Sequence, residues 1–168
     1  MRLSNAIITA SSVLVVVTML NGCCMLSPEC RDKGKVKGDI PLSAIPAGTF
    51  IDPPEEFKYI FQPILFDYDK SDVRADMQAG LNQVAEWMKT HPKVLVRIEG
   101  HCDERGTEQY NLALGERRAL SVRRYLNEQG VPADRLFTIS YGEEQPRNTQ
   151  HTEIAWAENR RAEFKLAQ

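Results

Sequence analysis

The chain has 168 residues, enough for one ordinary domain with attachments and too few for two full-sized ones. Its 21 basic and 23 acidic residues leave a formal net charge of −2, and beyond residue 22 the composition is that of a soluble protein. This excludes a disordered chain, a multi-span membrane protein and a strongly basic nucleic-acid binder.

Residues 1–22 open with one charge, Arg2, and continue as an almost unbroken apolar run from Ala6 to Leu20. The run falls short of the roughly 20 apolar residues of a spanning helix and ends in Asn21-Gly22, the layout of a secretory signal peptide. Leu20-Asn21-Gly22-Cys23 resembles the bacterial lipoprotein signal, in which a Leu three places before a Cys and a small residue directly before it mark that Cys for acylation. The resemblance implies a diacylglycerol and an N-acyl chain on Cys23 and no other cofactor. Cys24, standing where Asp would signal inner-membrane retention, points to the outer membrane. Several acyl chains hold a protein stably on a membrane, since each buried CH₂ contributes about 0.8 kcal/mol.

Residues 23–57 contain five of the nine prolines and the basic cluster Arg31, Lys33, Lys35 and Lys37, without a helical or strand period. They read as a flexible tether spanning at most roughly 120 Å. From residue 58 to 168 the element types alternate. Ile64 to Asp67 is a short strand that Pro63 confines to an edge or a strand start. Val73, Met77, Leu81, Val84, Ala85 and Met88 follow helical spacing, with Ser71 or Asp72 as the expected cap. Val94, Val96 and Ile98 alternate as a strand that Gly100 is expected to stop. Asn111 to Asn127 is the longest helix, closed by Gly130. Phe137 to Tyr141 is a strand, Thr152 to Asn159 a short helix, and Ala162 to Leu166 a last strand. The pattern predicts an α/β (α+β) fold, a four-stranded mixed sheet with helices packed on it.

On the long helix, Leu114, Arg118, Val122 and Leu126 share one face. A guanidinium on a core-facing stripe needs a partner or a cleft. The loop from Gly100 to Gly106 offers Asp103 as counter-charge. The pair then serves either as a salt bridge that holds the fold or as a site for a zwitterion, Asp for its ammonium and Arg for its carboxylate.

The motifs Gly100-His101-x-Asp103-Glu104-Arg105-Gly106-Thr107 and Asn111-x-x-Leu114-Gly115-x-x-Arg118-Ala119-x-x-Val122 resemble the peptidoglycan-binding pattern of the OmpA C-terminal-like family. Phe66-Asp67-Tyr68-Asp69-Lys70, Ser140-Tyr141-Gly142 and Asn159-Arg160-Arg161-Ala162 agree with it. The resemblance implies a two-layer sandwich that binds peptidoglycan non-covalently at the free amino-acid end of meso-diaminopimelate. Asp103 and Arg118 match the ligand pair, Leu114 a wall, and Tyr68 and Asp69 the first loop, while Asn111 orders the site. It also implies a tether between outer membrane and wall, with the periplasmic Tol system, above all its TolB propeller, as partner.

Three readings compete with a binding module. A thiol hydrolase built on Cys102 with His101 or His151 needs a base within hydrogen-bond reach of the sulfur, and adjacent strand residues point to opposite faces, which tells against His101. His101, Cys102, Asp103 and His151 lack any usual metal-ligand spacing, so no metal is expected from them. With Cys23 acylated, Cys24, Cys30 and Cys102 leave an odd thiol, which allows a disulfide-linked structural envelope lipoprotein. Trp87 and Trp156 read as packing residues.

Overall fold

The computed structural model describes residues 49–167. The expected signal segment, the acylation site Cys23, the cysteines 24 and 30, the basic cluster and most of the tether lie outside the described residues.

Four strands and three helices alternate: β1 (Ile64–Leu65), α1 (Ala75–Thr90), β2 (Leu95–His101), α2 (Glu108–Glu128), β3 (Leu136–Gly142), α3 (Glu153–Asn159) and β4 (Arg161–Ala167). The sheet order is β1-β4-β2-β3, with β2 and β3 parallel and the other neighbours antiparallel, so the sheet is mixed as expected. The parallel pair requires a crossover, which α2 supplies. Pro63 directly precedes β1, which lies at the sheet edge, where a residue without an N–H does least harm.

Alternation along the strands sorts the sheet into two faces. Val96 and Ile98 of β2 and Phe164 and Leu166 of β4 join Leu81, Val84 and Met88 of α1 and Val122 and Leu126 of α2 in one apolar core. Each such side chain contributes roughly 1.5–3 kcal/mol by leaving water. The other face carries Arg97, Glu99 and His101 of β2 beside Arg161, Glu163 and Lys165 of β4. Phe50 lies over part of it, 4.9 Å below the Arg97 guanidinium and 6.0 Å from the Phe137 ring. Ile51 exchanges two backbone hydrogen bonds with Leu166, at 2.9 and 2.8 Å, and Asp52 pairs with Lys165. Residues on the tether side of position 58 therefore contact the sheet.

Two local expectations are corrected. Neither Ser71 nor Asp72 caps α1: its N-cap is Arg74, whose side chain makes no capping bond and instead reaches Asp76 at 2.7 Å and Asp67 at 3.2 Å. Val73 does pack on the core, but from outside the helix. Gly100 does not stop β2, which runs on to His101. It is a site of close approach, because a Cβ on Gly100 would lie 1.9 Å from the Gly115 carbonyl oxygen and one on Gly115 2.3 Å from Ser140 Oγ. The glycine pair lets α2 sit directly against β2, which fixes the height of Leu114 and Arg118 over the end of the strand.

Candidate functional site: a cleft at the end of the second strand

Arg118 is 1% exposed, and its guanidinium is held largely by uncharged acceptors. Nε donates to the Lys70 carbonyl at 2.9 Å, Nη1 to the His101 carbonyl at 2.8 Å and the Cys102 sulfur at 3.3 Å, and Nη2 to the Asp67 carbonyl at 3.3 Å. Four of its five N–H donors are thus engaged. Burial pulls its pKa below the usual arginine value.

Asp103 is not its ion-pair partner, which corrects the expected pairing. Oδ2 of Asp103 accepts from Arg105 at 2.8 Å and Arg160 at 3.2 Å, while Oδ1 accepts only the Arg105 backbone N–H at 3.1 Å. Burial pushes the Asp103 pKa up, and the hydrogen bonds from Arg105 and Arg160 outweigh this, holding it below the usual carboxylate value. The reason is positional: Arg105 follows Asp103 by two residues in the same loop, and Arg160 enters between α3 and β4.

The six residues singled out from the sequence share one cleft. Tyr68, Asp69, Asp103, Asn111, Leu114 and Arg118 line it together with Cys102, Arg105 and Tyr110. It holds about 20 Å³, room for about one water. Asn111 is buried and donates to the Asp103 carbonyl and the Glu143 carboxylate, so it ties the loop to the strand end. Asp69 takes a left-handed φ of 56°, a conformation that costs a non-glycine residue about 1 kcal/mol or more, and accepts from the Tyr110 hydroxyl. The Arg105 guanidinium lies between two rings, 4.2 Å from the centre of Tyr68 and 4.3 Å from that of Trp156. Trp156 also donates its indole N–H to Glu104 at 2.8 Å, so it supports the rim of the cleft, whereas Trp87 packs on Phe57 and Phe61.

The Cys102 thiol is 2% exposed and donates to the Asn111 carbonyl, and burial raises its pKa to about 11. It is a protonated wall group. A second cavity of about 260 Å³ shares Cys102 and is lined by Glu104, Glu143, Asn148, His151 and Asn159, among others. Sequence reading missed Arg105, Tyr110 and Arg160. Arg105 had a signal in its Asp-x-Arg spacing, whereas Arg160 is brought in by the chain's return 57 residues later.

A family model described as the OmpA family matches residues 65–160, which include every residue of this cleft. The chain belongs to the OmpA family. A peptidoglycan-associated lipoprotein of Legionella pneumophila is 38% identical over 160 residues, covering 90% of this chain and 91% of that protein. One from Brucella melitensis is 50% identical over 99 residues, and the match spans only 59% of the length of either chain. The crystal structure of the peptidoglycan-associated lipoprotein from Burkholderia pseudomallei, 43% identical, superposes with a TM-score of 0.62 over 62% of this chain and 89% of its own. The C-terminal domain of Helicobacter pylori MotB, at 23% identity, a TM-score of 0.60, and 64% and 84% coverage, shares the OmpA-like fold. No helix among the described residues is long and apolar enough to cross a membrane.

Proposed function

We propose that the chain is a lipoprotein that binds peptidoglycan non-covalently through this cleft, taking the free amino-acid end of the stem-peptide diaminopimelate. The observation that carries the reading is Arg118, a buried cation with no carboxylate at ion-pair distance among the described residues. Such a charge is costly to bury, and a ligand carboxylate supplies the missing anion while taking the remaining N–H. Oδ1 of Asp103, which carries a single backbone bond, takes the ligand ammonium. Entry requires Tyr68 and Tyr110, both exposed at the rim, and Arg105 to turn outward, because the cleft as it stands admits about one water. The names of the relatives support peptidoglycan as the ligand class.

The same reading has acyl chains on Cys23 hold the protein on the periplasmic side of the outer membrane, with a Tol complex and its TolB-like protein as partners on the peptidoglycan-facing surface. The test is co-sedimentation of the full chain with purified sacculi of the diaminopimelate type. Sedimentation is expected for the parent and lost in Asp103→Ala and Arg118→Ala with circular dichroism unchanged. Failure of the parent to sediment removes the reading. Loss of folding and binding together in both variants assigns the residues to the scaffold. For the anchor, Cys23→Ala should leave the membrane fraction.

A further inference from the structure

We propose that Glu99, His101 and Glu163 form a binding site for one divalent transition-metal ion, of which Zn²⁺ is the type, on the sheet face opposite the helices. Glu99 and Glu163 face each other across the antiparallel β2–β4 pair, and His101 lies two residues beyond Glu99 on the same face. One ligand atom from each residue lies within 4.8 Å of those from the other two.

The independent observation is the imidazole. His101 is 1% exposed, and neither Nδ1 nor Nε2 has a hydrogen-bond partner. A neutral imidazole always carries one N–H and one lone pair, so both a buried donor and a buried acceptor are left unmet, a cost of about 1–3 kcal/mol each. Tyr141 stacks on the ring at 5.6 Å but offers its face, which satisfies neither nitrogen. A cation bound to one nitrogen meets the acceptor and gives the carboxylates a shared partner.

The ligand set is chemically matched. Imidazole with two carboxylates suits Zn²⁺ and its neighbours, and a three-ligand site leaves a fourth position for water. Tetrahedral bonds of about 2.0–2.2 Å place ligand atoms about 3.4 Å apart, so the side chains must draw in by about an ångström. Glu163 is the partly exposed member, so the site meets solvent on its side. Each carboxylate is already held by an arginine, Glu99 by Arg97 at 2.9 and 2.6 Å and Glu163 by Arg161 at 2.6 Å, in every case through Oε1. These arginines are donors of the kind that commonly hold metal-ligating carboxylates in place.

The test is calorimetric titration of the chelator-stripped full chain, in detergent, with ZnCl₂, accompanied by Co²⁺ absorption spectroscopy. The expected result is one equivalent bound with a dissociation constant below about 100 µM, a loss of at least about tenfold in Glu163→Gln, and a further loss in His101→Asn. The cysteines and the exposed His151 are alternative Zn²⁺ ligands, so unchanged binding in Glu163→Gln overturns the proposal, as does the absence of saturable binding in the parent. Glu163→Gln alters a partly exposed side chain and keeps the test decisive if His101→Asn does not fold.

Discussion

An arginine closes each end of β2, and the two are bonded almost identically. At the start of the strand, Arg135 donates to the carbonyls of Met88 at 2.9 Å, His91 at 2.7 Å and Val94 at 2.8 and 3.0 Å. At its far end Arg118 donates to the carbonyls of Lys70, His101 and Asp67. Hydrogen bonding alone does not separate them. Their surroundings do. Arg135 is half-buried and sits at the C-terminus of α1, whose last carbonyls lack helical partners and carry the negative end of the helix dipole. Arg118 is buried away from any such helix end among the described residues, and it faces a cleft. The two arginines thus differ in what stands against their charge, a helix C-terminus for Arg135 and a cleft for Arg118, which the proposed function fills with a ligand carboxylate.

Substitutions break or sharpen this contrast. The largest stability effect is expected from Gly100→Ala, because a Cβ 1.9 Å from the Gly115 carbonyl must push α2 away from the strand. We expect a loss of about 3 kcal/mol or more in chemical denaturation and, with Arg118 displaced, loss of sacculus binding. Arg118→Met, which keeps the stem but not the charge, is expected to weaken binding at least 100-fold, about 3 kcal/mol in the sedimentation isotherm, with a smaller stability change. Arg135→Ala is expected to do the reverse: it leaves three carbonyls short of a donor, lowers stability by about 1–3 kcal/mol and leaves binding intact. Equal binding by both variants would erase the distinction.

A subtler effect is expected from pH. The folded-state pKa of Asp103 lies below its ordinary value, so its stabilisation is fully present above the ordinary carboxylate pKa and is lost as pH falls through the folded-state one. Thermal melts from about pH 6 downward through the ordinary carboxylate range should show a shallower acid decline in Asp103→Asn than in the parent.

Much of this was legible from residue order. Periodicities of 3.6 and 2 locate every strand and helix to within a few residues, and the spaced motifs bring six side chains to one cleft. What failed did so for physical reasons. Gly100 reads as a strand stop, whereas it is required by a neighbour 15 residues away, and pattern does not reveal the distance between packed elements. The loop after a strand packs against the helix that follows it, which makes Asp103 the expected counter-charge of Arg118. Arg105 and Arg160 reach Asp103 first, and the second of these is visible only once β4 returns alongside β1. Glu99 and His101 fall on one face by simple alternation, but register alone brings Glu163 to them.

Ile51 is joined to Leu166 by two backbone bonds, and Asp52 adds one ion pair, whereas β2 and β4 align over six residue pairs. The contact through which the chain from residue 49 first meets the sheet is therefore far shorter than the pairing that holds the central strands together.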